Sequence, residues 1–214
     1  YMADDSKRLL TTMGIPWVQA PSEGEAQAAH LVKRGDSDFC ASQDYDSLLF
    51  GASRLLRNLT ISGRRKLPRK KIYIEVIPEI VELEKVLREL EITHEQLIEI
   101  GILLGTDFNP KGVKGIGSKS ALKLIKKHRT LEAVLKELNN VSFPVEPGRI
   151  REIFLHPKVT DNYRIVWREP NAEAATNFLC DERDFSKERV MKALEKAITG
   201  SRKTSAGTTL EKWF

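Results

Sequence analysis

The 214-residue sequence predicts an α/β protein: a partly parallel sheet flanked by helices, then a helical region carrying a helix–hairpin–helix motif. Three observations carry that expectation. Short runs of strand-forming residues, DFCAS, LLRNLTIS and KIYIEVI, alternate with helical stretches as far as Pro78. Beyond Pro78 the apolar spacing is helical throughout. Within that second part, GVKGIGSKSALKLI (112–125) sets two glycines immediately ahead of a helix.

Taken in order, residues 3–13 form an amphipathic helix with Leu9, Leu10 and Met13 on one side and Gly14 as its stop. IPWVQAP is a short extended run closed by Pro21. A helix follows from Ser22 to Arg34 and ends at Gly35. DFCAS, LLRNLTIS and KIYIEVI are strands. EIVELEKVLREL reads as one helix, and THEQLIEIGILLG as another opened by a Thr93–Gln96 capping box. Residues 118–128, 130–139, 149–155, 171–180 and 186–199 are further helices, and SRKTSAGTTLEKWF begins as a polar linker. This organisation divides into an α/β core over 1–78, a helical region over 79–200 and a tail over 201–214. Tyr1 opens the chain inside a helical pattern, so the sequence reads as a piece of something longer.

Composition narrows the class. With 41% hydrophobic and 30% charged residues the chain is globular rather than disordered. It has no apolar run near the ~18–20 residues that span a bilayer, so no membrane role is expected. Cys40 and Cys180 make neither a zinc pattern nor a disulfide framework, which points to an intracellular protein. Net charge is +5, and its distribution favours a polyanionic partner. RRKLPRKK (64–71) holds six basic residues in eight positions. From Phe108 to Leu131 there are seven Lys or Arg and no acid.

Acids stand out in three places. PSEGEAQAAH puts Glu23 and Glu25 at a helix start, QDYD puts Asp44 and Asp46 at a strand end, and GTDFNP puts Asp107 after an apolar helix. Each has a local explanation. Ser22 and Glu25 fit a capping box, one aspartate of QDYD can cap the helix DSLLF, and Asp107 can be a turn residue. Sites in α/β sheets nevertheless gather at the carboxyl ends of strands, and converging carboxylates need a counter-ion. All-oxygen ligation suits Mg²⁺ or Mn²⁺, in a pair. A calcium loop is excluded because Leu48 and Leu49 stand where a third ligand and a glycine are required.

The glycine motif supplies a second expectation. Gly115 and Gly117 let the backbone approach a phosphate, and their amides with the next helix N-terminus form an anion site. Lys114 flanks them, and Lys119, Lys123 and Lys126 share one helix face. Such contacts hold DNA without reading its sequence.

PSEGEAQAAHL, ASQDYDSLLFG, RNLT, ILLGTDFNPKGVKGIGSKSAL and terminal TLEKWF stand in the order found in flap endonucleases of the XPG/RAD2-like group, in their archaeal wording. The resemblance runs from about residue 3 to the end and covers the C-terminal portion of that family. It implies a structure-specific 5′ nuclease that removes flaps in lagging-strand maturation and base-excision repair. By the match, Glu23, Glu25, Asp44, Asp46 and Asp107 are metal ligands for two Mg²⁺ or Mn²⁺ ions, and the hairpin binds K⁺ and duplex DNA. Leu210, Trp213 and Phe214 dock on the sliding clamp. The implied location is the cytoplasm of an archaeon, or the nucleus of a eukaryote. Two departures are plain: Gly207 stands where the clamp box has glutamine, and the family's N-terminal half, with further acidic ligands and basic catalytic residues, has no counterpart here. Alternatives are a non-catalytic DNA-binding and clamp-tethering module, and a relative that cuts bubbles or degrades duplex ends.

Overall fold

The structure, a computed structural model, describes residues 2–59, 63–66, 72–138 and 141–204. Most of the basic run 64–71, and all of Leu210, Trp213 and Phe214, lie outside the described residues. The rest falls into two compact units. One holds Ala20–Asp161, and the other joins the stretch up to Gln19 with the stretch from Asn162 onward.

In the larger unit, α2 (Gly24–Arg34) is followed by β1 (Cys40–Ala41), α3 (Asp46–Leu49) and β2 (Arg54–Arg57). β1 runs parallel to β2, pairing Cys40 with Leu55, and β2 runs antiparallel to β5 (Glu79–Glu82), pairing Leu55 with Val81. The sheet is therefore mixed, as expected. Asn58 leaves β2 at φ +62°. A separate ribbon pairs β3 (Gly63–Lys66) with β4 (Tyr73–Val76), so the start of the basic run is a strand.

One element differs from expectation. EIVE is the strand β5, and the helix α4 starts only at Leu83 (Leu83–Leu90). Leu55 and Leu56 of β2 are buried, and on this side they require a paired neighbour. β-branched Ile80 and Val81 supply it, and the Leu83 N–H donates to the Ser53 carbonyl at 3.0 Å to close the ladder. Sheet pairing overrides the helical spacing.

The helices α5 (His94–Leu104), α6 (Ser118–His128), α7 (Leu131–Leu138) and α8 (Pro147–Leu155) share one core with α2, β1 and α3. Ile98, Ile102, Leu103, Ile125, Val134, Ile150 and Phe154 fill it. Thr93 and Gln96 form the expected capping box of α5. A Cβ at Gly101 would stand 2.9 Å from Leu49 Cδ1, so this glycine allows α3 to lie close on α5. His94 Nε2 lies 3.0 Å from the Leu48 carbonyl and secures the same contact. Phe50 and Phe108 both pack on Phe154, with centroids 4.7 and 5.8 Å away. These contacts fix the end of α5 beside α3.

The smaller unit holds α1 (Met2–Thr12), α9 (Ala172–Thr176) with a π-helical turn (Asn177–Asp181), and α10 (Lys187–Thr204). Ala175, Val190 and Leu194 form its buried core. Arg183 makes two hydrogen bonds to Asp5, at 2.7 and 2.9 Å. No described helix is long and apolar enough to cross a membrane.

Candidate active site

A cavity of about 920 Å³ opens on the larger unit, and Glu23, Glu25, Asp44, Asp46 and Asp107 all line it. Three separated segments thus place five carboxylates on one hollow. Gln43, Tyr45 and Arg57 share the rim, while Leu97, Ile100 and Leu104 of α5 form an apolar side.

The local explanations of these acids meet different outcomes. Glu23, not Ser22, occupies the N-cap of α2, with no side-chain cap bond. Glu25 Oε1 instead accepts from the Ser42 hydroxyl, and Ser42 Oγ accepts from the Asp44 N–H at 3.1 Å. This chain ties α2 to the loop after β1. Glu25 Oε2 is buried and has no hydrogen-bond partner among the described residues. Tyr45 is the N-cap of α3 and makes no side-chain cap bond, so neither aspartate of QDYD serves as the expected cap. Asp107 does sit in a turn. That turn is built by its neighbours: Thr106 Oγ1 donates to Asn109 Oδ1 at 2.6 Å, and Asn109 Nδ2 donates to the Ile102 carbonyl at 2.7 Å. Asp107 itself stays exposed on the cavity.

Asp46 is half-buried, and its carboxyl is pushed up to about 6. Burial is the largest cause, followed by repulsion from Glu25, Asp107, Asp44 and Glu23. The field of all four other acids therefore reaches one carboxyl. Among the described residues no three His, Cys, Asp or Glu side chains close into a metal-binding cluster. The acids line a common hollow without forming a complete coordination shell. An orphaned buried carboxylate oxygen, an elevated aspartate and an all-oxygen donor set still fit a hard divalent cation.

Sequence reasoning overlooked Arg57 and Tyr45, although both lie inside quoted motifs. Arg57 Nε and Nη2 donate to the Gln43 carbonyl at 3.2 and 3.1 Å, and Nη1 donates to the Tyr45 hydroxyl. The guanidinium carbon lies 4.1 Å from the Tyr45 ring centroid. A cation thus stands in the rim of an acidic hollow. The missed signal was its place in β2, directly beside the strand that delivers the aspartates.

The hairpin connects α5 to α6. Gly115 has φ +82°, which favours glycine, whereas Gly117 caps α6 at φ −101°, a value any residue adopts. Only Gly115 needs the conformational freedom expected of both. Gly112 was not singled out by sequence, yet a Cβ there would meet the Leu104 carbonyl oxygen at 2.3 Å. Lys114, Lys119 and Lys123 are exposed. Lys126, expected on the same stripe, is bound to Glu91 at 2.5 Å.

Residues 14–107, which carry Glu23, Glu25, Asp44, Asp46 and Asp107, match the family model of the XPG I-region. Over its whole length the chain is similar to flap endonuclease 1 proteins of archaea. It is 54% identical to flap endonuclease 1 of Staphylothermus marinus and 53% identical to that of Pyrococcus furiosus, over 100% of its own length. It spans 61% of the length of each of these relatives. The solved structure of flap endonuclease-1 from Methanococcus jannaschii superposes with a TM-score of 0.76 at 43% identity, covering 94% of this chain and 59% of that one.

Proposed function

We propose that this chain is part of a structure-specific 5′ flap endonuclease and 5′–3′ exonuclease that hydrolyses phosphodiester bonds in flap processing during DNA replication and base-excision repair. The observation that carries this reading is the convergence of five carboxylates from three segments on one cavity. Similarity to archaeal flap endonuclease 1 proteins supports it, and so does the +5 net charge, which suits an intracellular DNA-acting protein.

In this reading Glu23, Glu25, Asp44, Asp46 and Asp107 hold divalent ions, Mg²⁺ or Mn²⁺, as a pair. When bound, such ions lower the pKa of an attacking water and offset charge on the scissile phosphate. The chain's own residues do the rest. The Glu25–Ser42–Asp44 hydrogen bonds lock α2 to the loop after β1. The Thr106–Asn109 pair presents Asp107. Lys114, Gly115, Gly117, Lys119 and Lys123 grip the duplex backbone within the helical region 79–200, with K⁺ at the hairpin. Leu210, Trp213 and Phe214 take the sliding clamp.

In a protein completed to the length of its relatives, Asp44→Ala or Asp46→Ala should abolish Mg²⁺-dependent cutting of 5′-flap DNA while duplex binding persists. Retained cleavage in either variant would sink the metal roles. The 214-residue chain alone should bind duplex weakly and leave flaps uncut, with cutting restored by the N-terminal half added in trans.

A further inference from the structure

Tyr45 separates Asp44 from Asp46 at the start of α3. Its side chain is 51% exposed. Arg57 covers one face of the ring at 4.1 Å and donates to its hydroxyl. Arg57 is itself fixed by two bonds to the Gln43 carbonyl and by Glu79 at 3.6 Å. With one face covered, the exposure belongs to the opposite face and edge of the ring, and Tyr45 lines the carboxylate cavity.

Three consequences follow from that geometry. The ring is held in place before any ligand arrives, so a stacking partner meets little ordering cost. The hydroxyl already has a partner, so the open surface is aromatic rather than hydrogen-bonding. The guanidinium behind the ring puts positive charge beside a hollow whose acids would otherwise repel a nucleotide. A phosphodiester lying over Asp44 and Asp46 leaves its own base within reach of the residue between them.

We propose that Tyr45 is a stacking platform for one unpaired nucleobase of the DNA whose phosphate lies over Asp44 and Asp46; this rests on the nuclease reading above. Aromatic stacking accepts any base, so the platform selects single-stranded character and not sequence. Paired bases, stacked within a duplex, do not present a free face to it.

The test is a mutant cycle between the ring and the base. The 214-residue chain is titrated in Ca²⁺ buffer with 5′-flap DNA, with flap DNA made abasic at each of the first three unpaired positions in turn, and with blunt duplex. Base removal at one position should weaken binding by the parent chain about 5- to 150-fold, the usual worth of one base on an aromatic ring. In Tyr45→Ala and Tyr45→Leu the same removal should change affinity less than about twofold, whereas Tyr45→Phe should keep the parent's dependence. Blunt-duplex affinity and melting temperature should match in all variants. An equal abasic penalty with and without the ring, or loss of the effect in Tyr45→Phe, would overturn the platform. Failure of the parent chain to bind any of the five DNAs would instead remove the nuclease reading, and the platform with it.

Discussion

Gln27 and Thr160 exchange two hydrogen bonds: Gln27 Nε2 donates to the Thr160 carbonyl at 2.9 Å, and the Thr160 N–H donates to Gln27 Oε1 at 2.8 Å. Gln27 is 3% exposed, so the amide is committed to this backbone pair. Two residues further along the same face of α2, His30 and Arg34, bind Asp161 at 2.8 and 2.5 Å. The helix that starts at Glu23 and Glu25 is thereby clamped to the segment after α8. Gln27→Met keeps the bulk and strands the half-buried N–H and C=O of Thr160, and should cost about 1 kcal/mol or more in denaturant unfolding. A loss under about 0.5 kcal/mol, the range of surface substitutions, would show that the clamp carries no weight.

The acidic hollow should appear in the pH dependence of stability. The Asp46 carboxyl is raised from 3.8 to about 6, so the folded chain prefers its protonated form. Its contribution is therefore favourable below the ordinary carboxylate range and is lost as pH rises through about 6. Other acids oppose this: Asp161, held low by His30 and then Arg34, favours the fold above the carboxylate range. The parent-minus-Asp46→Asn difference isolates the effect. That difference should fall between about pH 4 and 6.5 in metal-free buffer, and Mg²⁺ at pH 7 should stabilise the parent more than the variant. Parallel curves with and without metal would argue against both statements.

Much of this was legible in the sequence because the periodic signals were local. The capping box of α5, the limits of α6 and the parallel β1–β2 pair follow from spacing and turn chemistry. β5 was not legible, since Ile80 and Val81 fit a helix until Leu55 and Leu56 are known to need a neighbour. The acids were legible as residues with an unusual placement. Their hydrogen bonding was not: Ser42 draws Glu25 away from a capping box across seventeen residues, and no local pattern encodes that. Arg57 and Tyr45 escaped for the same reason, because their stack spans the step from α3 to β2.

Glu99 gives a prediction that is independent of function. It is 2% exposed on α5, and burial pushes its carboxyl up. Arg151 of α8 answers it, with Nη1 donating to Glu99 at 2.8 Å and Nη2 donating to Glu132 at 2.5 Å. Removing only the arginine leaves a buried acid without its counter-charge. Arg151→Met should therefore cost about 3–5 kcal/mol at neutral pH. Part of that loss should return as pH falls and Glu99 protonates. Adding Glu99→Leu should recover most of it, because the unpaired charge goes with the carboxylate. A single variant as mild as an exposed substitution would mean that Glu99 is already neutral in the parent.

The hairpin separates what the fold needs from what a phosphate needs. Gly115 sits at φ +82°, where a side chain is strained by about 1–2 kcal/mol, so Gly115→Ala should lower the melting temperature. Gly117 is extended at φ −101°, and a Cβ there meets nothing within 4 Å, so Gly117→Val should leave the melting temperature unchanged. That open space faces the N-terminus of α6, whose free amides attract anions. A bulky group in it should weaken duplex binding regardless of sequence. The lysines sort in the same way. Exposed Lys119 and Lys123 are available to phosphates, and Lys119→Ala or Lys123→Ala should each reduce the salt slope of duplex binding by up to about 0.9. Lys126, held by Glu91, should change it little. Equal slopes for all three alanine variants, together with unchanged binding by Gly117→Val, would mean that duplex DNA does not approach this hairpin.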